Sequence, residues 1–227
     1  NWSPEPLMRL ALFDLDHTLL SGDSDVLWCE FLLTQGLLDP SFARRNQRMS
    51  EAYTAGSVTP ADYCNFYAGI LAGRSEDDWL PLRRRFVDEV VRPLIPDDAR
   101  ALLQRHREAG HTLVLTTATN RLVSALTAVE LGVDHHLATE LETADGRLTG
   151  RTQGILNMRT GKVERLRAWL QAQGQPDSVL RQASFSTDSI NDLPLLSVVR
   201  QSVVVDPDPR LESTALRKGW TVMRFNR

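Results

Sequence analysis

Two aspartates stand one residue apart in Asp14-Leu15-Asp16-His17-Thr18, directly after the apolar run Leu10-Ala11-Leu12-Phe13. Side chains at i and i+2 of an extended chain point to the same side, so the two carboxylates can converge. At the carboxyl end of a parallel strand they would sit where open α/β sheets bind ligands. Such a pair also serves as turn formers or helix caps, and taken alone it supports both uses about equally. Two other segments carry related groups. Leu113-Val114-Leu115-Thr116 runs into Thr117-Ala118-Thr119-Asn120, bringing hydroxyls and backbone N–H groups to the entrance of a helix, a setting that suits a phosphate oxygen. Simple N-capping by Thr119 or Asn120 is compatible with that use. Phe185-Ser186-Thr187-Asp188-Ser189-Ile190-Asn191-Asp192 adds two more carboxylates at another strand end. Converging acidic strand ends repel one another, which calls for a hard divalent cation such as Mg²⁺. Lys162, opening a helix after Gly161, can supply positive charge to a bound phosphoryl group. By itself it would read as a surface lysine.

The elements that must position these groups follow from the hydrophobic pattern. Short apolar runs at 10–13, 113–115, 183–185 and 203–205 read as strands, the first buried on both faces. Helices fall between them: one after Pro96 with Asp97 as N-cap and ending at Gly110, one over about 120–131 ending at Gly132, and one from Gly161 to near Gly174. That alternation predicts a parallel sheet covered on both faces, a Rossmann-like three-layer α/β core. Residues 23–91 break the rhythm, because no strand can be placed there. Thr59-Pro60 is a cap followed by proline at the first helical position, and Tyr63, Phe66, Tyr67, Ile70 and Leu71 form an apolar stripe behind it. Residues 26–33, 42–53 and 82–90 also read as helices, with Pro81 leaving the start of the last one open. The expected organisation is an α/β core of residues 1–20 and 91–227 carrying an inserted all-helical cap of residues 21–90. An Asp-Gly turn within 140–151 predicts a β-hairpin.

With four motifs in this order, the chain resembles the haloacid dehalogenase superfamily, specifically its phosphoserine phosphatase-like branch with a helical cap after the first motif. D-L-D-H-T resembles the first motif, T-T-A-T the second, Lys162 in G-K-V-E-R-L the third and T-D-S-I-N-D the fourth. The resemblance implies an α/β core with a cap and a Mg²⁺-dependent phosphatase. Asp14 would be the nucleophile that becomes an aspartyl phosphate, and Asp16 the acid and then the base. Thr117, Ala118 and Lys162 would hold the phosphoryl oxygens. Asp14, Asp188 and Asp16, the last through its backbone carbonyl, would bind the metal. Asn191 and Asp192 would order the metal's surroundings or the lysine, and Thr18 would fix the loop that aims the aspartate pair.

The departures from that branch bear on substrate. Thr187 stands where a glycine usually precedes the fourth-motif aspartate, and Thr117-Ala118-Thr119 replaces Ser-Gly-Gly. Asp23 takes the place of a glutamate after the first motif, where it can meet a substrate amine or cap the first cap helix. The cap arginine that would bind a substrate carboxylate has no clear counterpart, Asn65 or a neighbour falling near its place. A phosphomonoester with an amine and no carboxylate, such as histidinol phosphate, is therefore expected ahead of phosphoserine. The same core chemistry admits a phosphotransferase or mutase. A receiver-like signalling module also gathers aspartates and lysine, but needs about half this length and no lid.

Composition narrows the partners. With 227 residues, 42% hydrophobic and 24% charged, the chain can bury one substantial core without disulfides, and a net charge of −3 gives no footprint for nucleic acid. Cys29 and Cys64 have neither redox nor zinc spacing and read as buried thiols of a reducing compartment. The five histidines show no metal spacing, and His17 is expected to point away from the aspartates. No apolar stretch approaches the roughly 18 residues of a membrane span. Residues 1–6 lack the features of a signal peptide and read as a loose leader, with Met8 an alternative start. A cytoplasmic monomer or homodimer acting on a small phosphorylated metabolite is expected, with neither nucleic acid nor membrane as partner.

Overall fold

Leu10–Phe13 (β1) is buried at every residue because it is the middle strand of the sheet. The structure, a computed structural model, describes residues 6–227, so the leader expected at the start lies almost wholly outside the described residues. The other strands are Thr112–Asn120 (β2), His135–Ala144 (β3), Arg147–Gln153 (β4), Ser184–Thr187 (β5), Gln201–Val205 (β6) and Thr221–Met223 (β7). They form one sheet in the order β4-β3-β2-β1-β5-β6-β7. Every neighbouring pair is parallel except β3 and β4, which make the hairpin expected from Asp145-Gly146. Both turn residues have positive φ, 51° and 73°, as a two-residue hairpin turn requires. Phe13 lies opposite Leu115 on one side and Ser186 on the other. The residues that follow these three therefore emerge side by side beyond the carboxyl end of β1. This is how distant sequence motifs become neighbours.

Helices Ser24–Thr34 (α1), Ser41–Thr54 (α2), Pro60–Ile70 (α3) and Glu76–Phe86 (α4) run between β1 and Asp97–Glu108 (α5), with no strand among them. Arg121–Leu131 (α6), Thr160–Ala172 (α7), Leu193–Leu196 (α8) and Pro209–Lys218 (α9) complete the helical layers. Thr59 caps α3 as expected. Two helix starts differ from expectation. Asp97 is the first residue of α5, and Pro96 takes the N-cap place without a side-chain bond. α4 begins at Glu76, before Pro81, because Ser75 and Asp78 form a capping box. Its acidic first turn and its arginines at 83–85 both match the helix dipole. Pro81 removes one backbone donor but does not end the helix. A turn of π-helix, Val87–Val91, and a 3₁₀ turn, Arg92–Leu94, lead back to α5.

Alternation along β1 divides the core. Leu10 and Leu12 pack with Val114, Leu166, Phe185 and Leu211, whereas Ala11 and Phe13 face a second apolar cluster that continues into the helical insertion. There Trp28 packs its ring 5.1 Å from Phe86 and 5.8 Å from Trp79. The two chain crossings into the insertion are tied together, Ser21 N donating to Leu94 O at 2.8 Å. The insertion also grips the hairpin. Gly73 N donates to Leu148 O at 2.8 Å, Leu148 N to Arg74 O at 2.9 Å, and Thr152 N to Asn65 Oδ1 at 3.1 Å. Gly150, at φ +90°, lies so close that an added Cβ would sit 2.9 Å from the Ala72 Cβ. Cys29 and Cys64 are free and buried, their thiols pushed up to about 11 and about 12, chiefly by burial. Among the described residues no helix is long and apolar enough to cross a membrane.

Candidate active site

At the carboxyl edge of the sheet, Lys162 from the first turn of α7 is buried to 2% exposure. Its Nζ donates to Asp14 Oδ1 at 2.9 Å and lies 3.0 Å from the Asp192 carboxylate. The lysine is desolvated, but the two carboxylates outweigh that and hold its pKa above the ordinary range. Burial pushes the Asp192 carboxyl up, and Lys162 pulls it back. Thr187 Oγ1 donates to Asp192 at 2.6 Å, so the residue that departs from the usual glycine adds a bond behind the lysine.

On the other side of Asp14, the Thr18 hydroxyl lies 3.2 Å from Asp14 Oδ2 and 3.0 Å from Asp188 Oδ1. It also accepts the Asp188 backbone N–H at 3.0 Å. A hydroxyl has one proton, so it satisfies only one of the two carboxylates. Burial and the nearby Asp14 raise the Asp188 carboxyl well above its usual range. No three His, Cys, Asp or Glu side chains among the described residues form a ready ligand cluster. What a hard cation meets here is two carboxylates with surplus negative charge, beside the Asp16 backbone. That donor set fits Mg²⁺ in kind, since hard cations take oxygen ligands and complete their shell with water.

Asp16 is held from both sides. Ser24 donates to Oδ1 through its backbone N at 2.8 Å and its hydroxyl at 2.5 Å, and Thr119 Oγ1 donates to Oδ2 at 2.7 Å. Burial, with Asp23 adding to it, still raises the Asp16 carboxyl above its ordinary range. A carboxyl biased toward its protonated form suits a group that must donate a proton near neutral pH. Ser24 carries no motif signal for this task, and Thr119, which belongs to the second motif and is expected near phosphate or as a helix cap, instead anchors Asp16.

Ala118 lines the pocket, whereas Thr117 stands behind the wall, fully buried, accepting the Thr119 N–H at 3.2 Å. Asn157, missed in the sequence, fixes this stretch by placing Nδ2 2.9 Å from Thr117 O and 3.0 Å from Thr116 Oγ1. His17, at φ 58°, is exposed and borders both this pocket and a second hollow beside Ser21, Asp206 and Arg227. Behind the same loop, Arg227 donates to the carbonyls of His17 and Thr18 at 3.1 and 2.7 Å. Asn191 donates to the Tyr53 hydroxyl at 3.4 Å, joining the fourth motif to α2.

The insertion supplies the opposite wall through Asp23, Asp25, Tyr53 and Tyr63. Of the two roles expected of Asp23, the structure shows the helix cap. Its Oδ1 accepts the N–H groups of Asp25 and Val26, capping α1, while its Oδ2 accepts the Tyr63 hydroxyl at 3.2 Å beside the pocket. Asn65 binds the hairpin and does not line the pocket. Arg159, at φ 53°, is an exposed cation on the pocket wall whose guanidinium has no hydrogen bond among the described residues. No motif or spacing in the sequence marks it.

A parallel α/β sheet with two aspartates, a lysine and a second acidic loop at its carboxyl edge is the architecture of a phosphoryl-handling hydrolase. The haloacid dehalogenase-like hydrolase family pattern matches residues 11–197, and the chain belongs to that family. A histidinol-phosphatase of Neisseria meningitidis serogroup C is 34% identical over 221 residues, covering 96% of this chain and all of that one. The phosphoserine phosphatase SerB1 of Mycobacterium tuberculosis is 31% identical, covering 98% of this chain and 72% of its own. Among solved structures, a Bordetella pertussis Tohama I protein of unknown function superposes with a TM-score of 0.89 at 39% identity, covering 96% and 99% of the two chains. A substrate-bound phosphoserine phosphatase shares the fold, with a TM-score of 0.67 at 16% identity over 96% and 94% of the chains.

Proposed function

We propose that this hydrolase is a Mg²⁺-dependent phosphatase of small phosphomonoesters, with residues 1–20 and 91–227 as catalytic core and 21–90 as cap. The observation that carries the reading is the placement of Asp14 between Lys162 at 2.9 Å and the Thr18–Asp188 pair, with Asp16 anchored beside it. Asp14 attacks phosphorus to form an aspartyl phosphate, and the bond to the leaving alcohol breaks as Asp16 protonates its oxygen. Asp16 then takes a proton from the water that attacks the same phosphorus, freeing Asp14. Lys162 and the Ala118 stretch hold phosphoryl oxygens. Bound by Asp14, Asp188 and the Asp16 carbonyl, Mg²⁺ would offset the repulsion between the nucleophile and the phosphate. The cap excludes water during transfer and selects the alcohol.

The substrate favoured is an amine-bearing ester without a carboxylate, such as histidinol phosphate. The acidic cap wall of the pocket, Asp23 and Asp25, and the 34% identical histidinol-phosphatase support it. Arg159 supports a second reading, because an unpaired guanidinium on the pocket wall suits a carboxylate such as that of phosphoserine. Phosphate release from a panel of phosphorylated metabolites with Mg²⁺ decides between them, with Asp14→Asn as the blank. Full activity in that variant would overturn the mechanism. Equal kcat/KM for histidinol phosphate and phosphoserine would overturn the substrate assignment.

A further inference from the structure

Asp25 is the least explained charged group in the pocket. It sits in the first turn of α1, lines the cap wall and is only 5% exposed, yet neither carboxyl oxygen takes part in a hydrogen bond among the described residues. Its Oδ1 is wholly buried and unpartnered. The ordinary reason for an acid at that position is helix capping, but Asp23 already accepts the N–H groups that need a cap. No ion pair neutralises Asp25 within the described residues, and burial, with Asp23 and then Asp16 nearby, pushes its carboxyl well above the usual range. Burying an acid without a donor or a cation is unfavourable in either protonation state, so fold stability alone does not account for it, and an arriving cation would favour its charged form. The stacked rings of Tyr53 and Tyr63, 4.2 Å apart, line the same pocket and offer π faces of the kind that accept cations.

We infer that Asp25 is the residue that receives a protonated nitrogen on the alcohol portion of the substrate, making the cap wall a cation subsite selective for aminoalkyl phosphomonoesters. This rests on the phosphatase reading for the rest of the site. It assigns the recognition to Asp25 itself and leaves Asp23 occupied by α1 and Tyr63. A cationic nitrogen entering the pocket would supply the donor that Asp25 lacks. A neutral alkyl group of the same size would leave the carboxyl unpaired and be bound more weakly.

The test compares wild type with Asp25→Asn on two esters of matched size, an aminoalkyl phosphate and the corresponding alkyl phosphate, in the presence of Mg²⁺. Wild type is expected to favour the aminoalkyl ester in kcat/KM by about 10- to 100-fold, the range of a charge-assisted hydrogen bond, and the variant to lose that preference. An equal loss on both esters, or an unchanged preference, would overturn the assignment. Thermal denaturation with the free amino alcohol gives a readout independent of turnover: it should stabilise wild type and not Asp25→Asn, and a variant stabilised as much as wild type overturns the proposal. Binding of the amine through Asp25 without phosphate release would keep the subsite and remove the phosphatase reading. Phosphate release with no dependence on the amine would do the reverse.

Discussion

Replacing Lys162 by methionine should cost both stability and activity, and the stability loss should depend on pH. The lysine is almost fully buried between two carboxylates at 2.9 and 3.0 Å. Methionine fills much of the volume of the lysine stem, so the cavity contribution is small and the change is mainly electrostatic. Removing one partner of a buried ion pair costs about 3–5 kcal/mol, because the remaining charge is left unpaired. For a chain of this length 1 kcal/mol corresponds to about 2–4 °C, so Tm at pH 7.5 should fall by roughly 6–20 °C. The sign of the pH effect follows from Asp192. Burial raises its carboxyl and Lys162 opposes the rise, so the variant's folded state holds that proton more firmly. The unfolded chain has lost the same proton at neutral pH, with a carboxylate pKa of about 3.9. Acidification toward that value therefore favours the folded variant more than the folded wild type, and the gap narrows between pH 7.5 and pH 5. Calorimetry or urea denaturation at the two pH values, with phosphate release measured alongside, reads this directly. A loss below about 1 kcal/mol, or a gap of equal size at both pH values, would refute the charge-compensation argument.

Two further changes probe the walls of the site. Thr119→Val removes a 2.7 Å donor that favours the charged form of Asp16, so its carboxyl should rise further. The alkaline limb of the kcat/KM profile, where the general acid loses its proton, should then move to higher pH; an unmoved or lowered limb would separate Asp16 from that limb. Gly150→Ala places a Cβ 2.9 Å from Ala72 at a φ of +90°, and should destabilise the protein by about 1–3 kcal/mol in urea denaturation. An unchanged midpoint would show that the hairpin and α3 separate freely.

The chemistry was legible where it depended on local spacing. Asp14 and Asp16 could be read from the i, i+2 pattern, and the strand ends from apolar runs that lose their polar residues when buried on both faces. Their partners do not follow from spacing, because they arrive from elsewhere in the chain; Lys162 was legible only through the order of the motifs. Lys162 is 148 positions from the aspartate it contacts, and Ser24 reaches Asp16 only because α1 folds back over the loop. The roles of Asn157, Asp25 and Arg159 depend on tertiary placement, which no periodicity encodes. β7 has only three residues, and the start of β3, His135-His136-Leu137, is too polar to announce a sheet strand. α4 was shortened in the sequence reading because a proline is a strong local signal, whereas the capping box and the charge gradient around it act over the whole helix.

The contact between Gly73-Arg74 and Leu148 has a consequence for solution behaviour. β4 is the outermost strand of the sheet, and its free edge would otherwise offer unpaired backbone groups to another chain. The segment that covers it at Leu148 belongs to the helical insertion, so one pair of backbone hydrogen bonds both joins the insertion to the sheet and guards that edge against strand addition. Each such bond contributes about 0.5–1.5 kcal/mol, so release of the pair alone leaves the edge uncovered in a minor fraction of molecules. Loosening of the insertion from the hairpin and self-association therefore draw on the same opened population. Variants that loosen this contact should therefore be the ones that aggregate as concentration rises, which light scattering reads.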